Sequence, residues 1–391
     1  MVSVIMLITS LAGGGAERVA SELSLNLDSQ IQRQIVILTN EVSYASNKPP
    51  ISLDFNFRSP KILSILWAFL FGTLKYRKLM VEHKPEISMS FLTLDNFINI
   101  LANLRNKRIK TILQVHIALS MKFRDSILDE IAKHLITILY NRADLIIAVS
   151  EGVKQELIHE FKINPEIVKV IYNPNDIEKI KILADQPVND EWFNGDIPII
   201  FNLGRLTEQK GQWHLIRAFS KTREVVSCKL VIRGNGNLKP YLEKLVLNLD
   251  LSSDVKFLDW QDNPYKYLSK ASIFVSSSLW EALPYSIIEA MACGCPIIAS
   301  DCKYGPREIL SDGKFGILTS PLDGIMYSAL DPLTPQEIEL SNMMVDIIRN
   351  RELRLRYSRT GIVRSNDFNL NISTEAYSSV FESIANRDRS L

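Results

Sequence analysis

Two carboxylates, Glu281 and Glu289, stand in the stretch Trp280-Glu281-Ala282-Leu283-Pro284-Tyr285-Ser286-Ile287-Ile288-Glu289-Ala290-Met291-Ala292-Cys293-Gly294-Cys295-Pro296. The apolar run before it, from Ser272 to Ser278, reads as a buried parallel strand. The stretch then opens a helix, with Pro284 expected at the first helical position, where a missing N–H is harmless. No Ser, Thr, Asp or Asn stands at the cap position, so the amides of Tyr285, Ser286 and Ile287 lack a side-chain acceptor. An uncapped helix start attracts phosphate, and the carboxylates on either side of it accept from hydroxyls. Phosphate between two polyhydroxyl groups is the chemistry of a sugar nucleotide.

A second cluster supplies positive charge. Gly204-Arg205-Leu206-Thr207-Glu208-Gln209-Lys210-Gly211 follows another apolar run and precedes a helical pattern. Arg205 and Lys210 therefore fall in a short loop at a strand's carboxyl end, where they can neutralise a leaving diphosphate. Gly13-Gly14-Gly15 comes directly after the first apolar run, and its glycines permit positive φ and close backbone approach. It is not a G-x-G-x-x-G motif, and a plain tight turn explains it equally well. Gly234-Asn235-Gly236 ends a further strand pattern, with Trp260, Gln261 and Asn263 after the next. Trp260 suits core packing as well as ligand contact. His116 closes the run Thr111–His116.

Short apolar runs alternate with helical patterns, as in α/β proteins with parallel sheets. The first series of strands is Val2–Thr9, Gln34–Thr39, Glu86–Phe91, Thr111–His116, Asp144–Ser150 and Val168–Tyr172. The second is Pro198–Leu203, Cys228–Arg233, Val255–Leu258, Ser272–Ser277, Pro296–Ser300 and Gly316–Thr319. A polar stretch from Asn173 to Asp196 separates them, and three helical segments follow, the last near Ile372 to Ala385. Two Rossmann-like doubly wound parallel-sheet domains result, with ligands expected at the carboxyl ends of the strands, across a cleft between the domains.

Glu-x7-Glu, the small-residue helix, Gly-Cys-Pro-Ile-Ile-Ala-Ser and G-R-L-x3-K-G together resemble family 4 retaining glycosyltransferases of the GT-B fold, over nearly the whole chain. The resemblance implies an acceptor-binding domain over residues 1–185, a nucleotide-sugar domain over 186–368, and a helix over 369–391 that crosses back to the first domain. It implies that Glu281 faces the donor sugar, Glu289 holds the ribose, and Arg205, Lys210 and Gly204 serve the donor phosphates beside Leu283, Pro284 and Tyr285. Gly14 and Gly15 would face donor phosphate or acceptor, and His116 the sugar's outer hydroxyls. Phe91, Asp95 and Asn96 would line the acceptor side. Gly234 and the Trp260–Asn263 stretch would frame the base, with Glu308 near the nucleotide. Retention by front-face attack is implied, without metal or other cofactor, since no DxD triad is present.

The GGAERV start, Ser90-Phe91-Leu92 and Glu281-Ala282-Leu283-Pro284 look closest to bacterial transferases that build lipid-linked oligosaccharide, O-antigen or capsule. Such enzymes imply a UDP-sugar donor, UDP-GalNAc favoured, and a lipid-linked sugar acceptor. Ala282 stands where many relatives have Gly, which leaves the donor open. A GT-B epimerase, a phosphorylase or a silent sugar-nucleotide-binding partner subunit are the alternatives. The first two fit the Glu pair and the chain length less well, and the third fits Arg205, Lys210 and Glu281 less well.

Composition agrees with an ordinary globular enzyme: 391 residues, 46% hydrophobic, 23% charged, formal net charge +1. That balance argues against a nucleic-acid partner. Cys228, Cys293, Cys295 and Cys302 have no metal-site spacing and read as buried thiols of a reduced, cytoplasmic protein. The apolar N-terminus lacks a positive leader and reads as a strand, not a targeting segment. The run Ile62–Leu74 is too short to span a bilayer. Beside Lys75, Arg77 and Lys78, its Trp67, Phe69, Phe71 and Leu74 suit peripheral contact with the cytoplasmic face of the inner membrane, or else a core helix.

Overall fold

The computed structural model describes residues 1–55, 61–106, 108–124, 126–259 and 261–386. The chain forms two compact units: Met1–Pro174 with Leu370–Leu391, and Asn175–Asn369. The division therefore falls at the start of the polar stretch, after Pro174, and not at the boundary after residue 185 expected from sequence. The reason is the helix Ile177–Ala184 within that stretch, which buries Ile177 and Ile180 in the second unit.

In the first unit the strands are β1 (Val2–Ile8), β2 (Ile31–Ile37), β3 (Ile51–Ser52), β4 (Ile87–Ser90), β5 (Lys110–Val115), β6 (Leu145–Ala148) and β7 (Val168–Val170). They pair in parallel, in the order β3-β2-β1-β4-β5-β6-β7. The helices are α1 (Gly15–Asn26), α2 (Lys61–His83), α3 (Thr93–Asn103), α4 (Leu119–Lys122), α5 (Ile127–Tyr140) and α6 (Glu151–His159). The second unit holds β8 (Ile199–Leu203), β9 (Lys229–Arg233), β10 (Val255–Leu258), β11 (Ile273–Ser276), β12 (Ile297–Ser300) and β13 (Ile317–Thr319). All are parallel, in the order β10-β9-β8-β11-β12-β13. Its helices are α7 (Ile177–Ala184), α8 (Gln212–Val225), α9 (Lys239–Asn248), α10 (Tyr265–Leu268), α11 (Tyr285–Ala292), α12 (Pro306–Leu310), α13 (Pro335–Arg349) and α14 (Arg351–Ser365). The last helix, α15 (Leu370–Asn386), belongs to the first unit, where Gln114 donates to the Tyr377 hydroxyl.

Strands covered on both faces are mostly apolar, and any polar residue in them needs a buried partner. β4, β8, β11 and β12 are buried end to end; Ile and other apolar residues dominate β8, β11 and β12, while β4 alternates Ile87 and Met89 with Ser88 and Ser90. In each sheet the chain doubles back once, between β1 and β4 and between β8 and β11. The carboxyl ends of adjacent strands diverge at such switch points and leave room for ligands. The Gly13–Gly15 loop and Asp95 follow β1 and β4, while Arg205 with Lys210 and Glu281 follow β8 and β11.

Beneath α3 runs a buried polar network. Ser90 donates to Asn96, whose amide reaches the Gln114 carbonyl and the Tyr140 hydroxyl. Asn99 donates to the Ser88 carbonyl and the Ser90 hydroxyl, and Tyr76 meets Ser88 at 2.7 Å. Asn96 is 1% exposed, so it fastens α3 to the sheet instead of lining an acceptor surface.

Candidate active site

In the second unit the site begins where β8 ends. Asn202 donates to the Val275 carbonyl and ties β8 to β11. The chain then turns through a 3₁₀ segment, Glu208–Lys210, into Gly211 at φ 55°. A side chain there would start 2.4 Å from the Ser277 carbonyl, so only glycine lets the two strand ends close up. This brings Lys210 Nζ to 2.5 Å from Glu281 Oε1. Ser278 donates to the same oxygen at 2.7 Å, and Gln209 reaches Glu281 Oε2 at 3.3 Å and the Trp280 carbonyl at 3.0 Å. Glu281 is 5% exposed, with its N–H on the Lys303 carbonyl. Gly305 lies where a Cβ would strike the Pro284 ring, so the loop after β12 buttresses the loop after β11.

The Lys210 stem lies on Gly204, whose added Cβ would come 3.3 Å from Lys210 Cε. A Cβ at Gly234 would strike the Gly204 carbonyl, and one at Gly236 the Leu206 carbonyl. The two glycines of the Gly234-Asn235-Gly236 turn thus let the end of β9 pack on the Arg205 loop. Arg205 itself is exposed, 3.4 Å from the Gln209 side-chain oxygen. Of the expected cationic pair, Lys210 is engaged with Glu281 and Arg205 stands at the surface.

Pro284 is the N-cap of α11, one position before the helix, and no side chain caps it. The sequence placed it inside the first turn; its ψ of 112° takes it out of helical geometry. Leu283 is buried at 5%, and Tyr285 begins the helix proper. On the second turn Glu289, 6% exposed, accepts from the Tyr265 hydroxyl at 2.8 Å. Arg233, at the end of β9, donates to the Gln261 carbonyl at 2.6 Å. Burial lowers its pKa, and the field of Glu289, Tyr265 and Asp262 opposes that shift. Asn263, just before the Pro264 N-cap of α10, accepts from the Tyr265 amide and donates to the Leu183 carbonyl, a structural tether for the loop expected to frame the base. Trp260 lies outside the described residues. Glu308 sits on α12, and its carbonyl accepts from Arg364. The Cys302 thiol is pushed up by burial and by the Glu281 charge.

In the first unit Gly14 is the N-cap of α1. A Cβ on it would collide with the Glu17 carboxylate, so this helix start carries a carboxylate of its own close to the Gly14 backbone. An anion would meet repulsion there, which weighs against donor phosphate at Gly14 and Gly15. Asp95 is fully buried and accepts from the Thr9 amide at 3.0 Å and the Thr9 hydroxyl at 2.7 Å. Its pKa is raised to about 7, first by burial, with the Thr9 hydrogen bonds opposing. His116 stacks on buried Phe91 with ring centroids 6.0 Å apart, and burial lowers its pKa to about 3, leaving a neutral imidazole. Its Nε2 is buried with no protein partner among the described residues.

Residues 13–179 match the family described as Glycosyltransferase Family 4, and residues 188–328 match Glycosyl transferases group 1. The chain is 34% identical over 365 residues to an uncharacterized glycosyltransferase of Methanocaldococcus jannaschii, covering 88% of this chain and 87% of that protein. It belongs to glycosyltransferase family 4. It is also 32% identical over 317 residues to the N-acetylgalactosamine-N,N'-diacetylbacillosaminyl-diphospho-undecaprenol 4-alpha-N-acetylgalactosaminyltransferase of Campylobacter jejuni, covering 80% of this chain and 84% of that protein. Among solved structures, Anabaena HepE in complex with UDP superposes with a TM-score of 0.76 at 18% identity, covering 98% of this chain and 100% of that one. The lipopolysaccharide outer core galactosyltransferase WaaB gives 0.73 at 18% identity, covering 98% and 100%. These likenesses show the GT-B fold.

Several neighbours of this family 4 site escaped the sequence reading. Ser278, Tyr265 and Arg233 touch it or its loops without a distinctive motif, and Gln209 lies at an unassigned position inside the Gly204–Gly211 motif. Position relative to a strand end was the available signal: Ser278 follows β11, and Arg233 ends β9.

Proposed function

We propose that this chain is a retaining, metal-independent transferase. It moves a hexose or N-acetylhexosamine, UDP-GalNAc favoured, to a lipid-linked glycan acceptor in bacterial surface polysaccharide or oligosaccharide assembly. The observation that carries the reading is the Lys210–Glu281 pair beside the uncapped start of α11, with Glu289 on the next turn. The name of the Campylobacter jejuni relative supports a lipid-diphosphate acceptor and an N-acetylgalactosamine donor. In the proposed reaction an acceptor hydroxyl attacks the anomeric carbon on the face from which the diphosphate departs. The carbon–phosphate-oxygen bond breaks, the new glycosidic bond forms on that face, and the hydroxyl proton passes to the leaving diphosphate. Arg205, Lys210 and the α11 amides stabilise the diphosphate as its charge grows. Glu281 stabilises positive charge at the anomeric carbon, and neutral His116 holds the sugar's outer hydroxyls.

Peripheral contact with the cytoplasmic face of the inner membrane is part of the proposal. Trp67, Leu70, Phe71 and Leu74 are exposed along α2, as are Leu128, Ile131, Leu135 and Ile138 along α5. Phe69, assigned from sequence to the same surface, instead packs edge-on against Phe97, its ring centroid 6.4 Å away. No helix among the described residues is long and apolar enough to cross a membrane.

The test is a transfer screen of UDP-, GDP- and ADP-sugars against a polyprenyl-diphosphate-linked saccharide, with the product's anomeric configuration read by NMR. Transfer from UDP-sugars with retention, unaffected by EDTA, is expected. Inversion, loss of activity on chelation, or transfer only from GDP- or ADP-sugars would each overturn the corresponding part. Donor binding with neither transfer nor donor hydrolysis would favour a catalytically silent partner subunit.

A further inference from the structure

Four separate elements meet around Glu289 and use groups that the proposed reaction does not consume. α11 supplies Glu289, α10 supplies the Tyr265 hydroxyl at 2.8 Å, and β9 ends in Arg233, which is 7% exposed. The fourth element is the loop after β10, whose Gln261 carbonyl Arg233 holds at 2.6 Å. Asn263 in that loop fixes where α10 starts, because its side-chain oxygen accepts from the Tyr265 amide at 3.0 Å. Asn263 and Tyr265 are thereby tied to each other at the start of α10. An arginine buried at a strand's carboxyl end needs nearby negative charge, and the carboxylates of Glu289 and Asp262 supply that field.

We propose that Tyr265 and Arg233 are positioning residues for the donor's nucleoside, Tyr265 setting recognition of the ribose and Arg233 setting the loop beside it. Tyr265 fixes the rotamer of Glu289, and Arg233 fixes the loop that carries Gln261. The inference rests on the reading of Glu289 as the ribose anchor. A carboxylate has about four acceptor positions, so Glu289 can keep the Tyr265 bond and still accept from both hydroxyls of a ribose diol. Without the tyrosine hydroxyl, the glutamate has several rotamers to choose among, and the ribose must select one at its own expense. The penalty falls on binding. The transferred sugar and its diphosphate are held by other residues, so turnover at saturation is untouched.

The experiment measures the affinities of UDP and 2′-deoxy-UDP by calorimetry for the full-length wild type, Glu289→Gln and Tyr265→Phe. Donor kinetics follow on the same proteins. Tyr265→Phe removes one oxygen from a ring that is not fully buried, and its fold is checked by its thermal midpoint. Wild type is expected to prefer UDP by about tenfold or more, and Glu289→Gln to erase most of that preference. Tyr265→Phe is expected to narrow it by about three- to tenfold, raising the donor KM with kcat within about twofold of wild type. Arg233→Lys, which keeps the charge but not the planar fork, is expected to weaken both nucleotides alike. If Glu289→Gln discriminates like wild type, the ribose reading falls and this inference with it. If Glu289→Gln loses discrimination while Tyr265→Phe keeps it, the ribose reading stands and the positioning role is refuted. A fall in kcat with unchanged KM in Tyr265→Phe likewise refutes it, and failure of UDP to bind wild type overturns both.

Discussion

The Lys210–Glu281 pair should behave as one energetic unit, and a double-mutant cycle reads this directly. The side chains are 16% and 7% exposed, so both ions are largely out of water. Lys210→Met keeps the apolar stem that rests on Gly204 but strands the Glu281 carboxylate, leaving it Ser278 and Gln209 as neutral donors. Breaking a buried pair costs about 3–5 kcal/mol, and the solvent that reaches Lys210 brings the expected loss to about 2–3 kcal/mol. Glu281→Gln strands the better solvated partner and should cost about 1–2 kcal/mol. The double variant strands nothing, so it should be destabilised by less than the sum, with a coupling of about 1.5–3 kcal/mol. Urea unfolding of the four proteins, with constant m-values, supplies the numbers. Additivity to within about 0.5 kcal/mol would refute the pair. The same variants test the chemistry. Glu281→Gln frees Lys210 for phosphate, so UDP should bind as well as or better than in wild type while kcat falls. Full turnover with weakened binding would contradict the role given to Glu281.

Arg205→Ala should weaken UDP binding measured by calorimetry by up to about 2–5 kcal/mol, as for a charged phosphate contact, and unchanged affinity would remove it from the site. The first unit should show two opposing pH dependences. Asp95 titrates near 7 folded against a reference of 3.8, so the fold alone holds its proton between those values and stability falls as pH rises. His116 titrates near 3 folded against 6.5, so the unfolded chain alone binds its proton there and stability rises with pH. Between pH 4.5 and 6.5 the thermal midpoint of Asp95→Asn should therefore climb more steeply than wild type, and that of His116→Gln should fall; parallel profiles would disprove both shifts. Flotation with anionic vesicles should capture the protein at low salt and lose it as salt is added, and Trp67→Ser with Phe71→Ser should weaken capture. No binding at low salt would reject the membrane face.

Most strands were legible from sequence because a parallel strand buried on both faces is dominated by apolar residues, as β8, β11 and β12 are. β3, Ile51–Ser52, was not, since a two-residue edge strand leaves no periodic trace. The motif residues were legible too, because Glu281, Arg205 and Lys210 are charges placed just beyond strand ends and Glu289 follows Glu281 at a motif spacing. What sequence could not decide is who meets whom. Lys210 follows β8 and Glu281 follows β11, and they touch only because the sheet order sets those strands side by side at its switch point. Tyr265 and Arg233 come to Glu289 by the same route, from a short helix and a strand end with no motif of their own. Burial likewise had to come from packing. Asn96 looks like a surface polar residue until α3 lies on the sheet, and Phe69 turns inward while Trp67, Leu70, Phe71 and Leu74 stay out. Local sequence determines which segments are strands and which residues can carry charge or proton chemistry, because those depend on neighbours along the chain. Pairing, burial and the resulting shifts at Asp95 and His116 depend on neighbours in space, and only the tertiary structure supplies them.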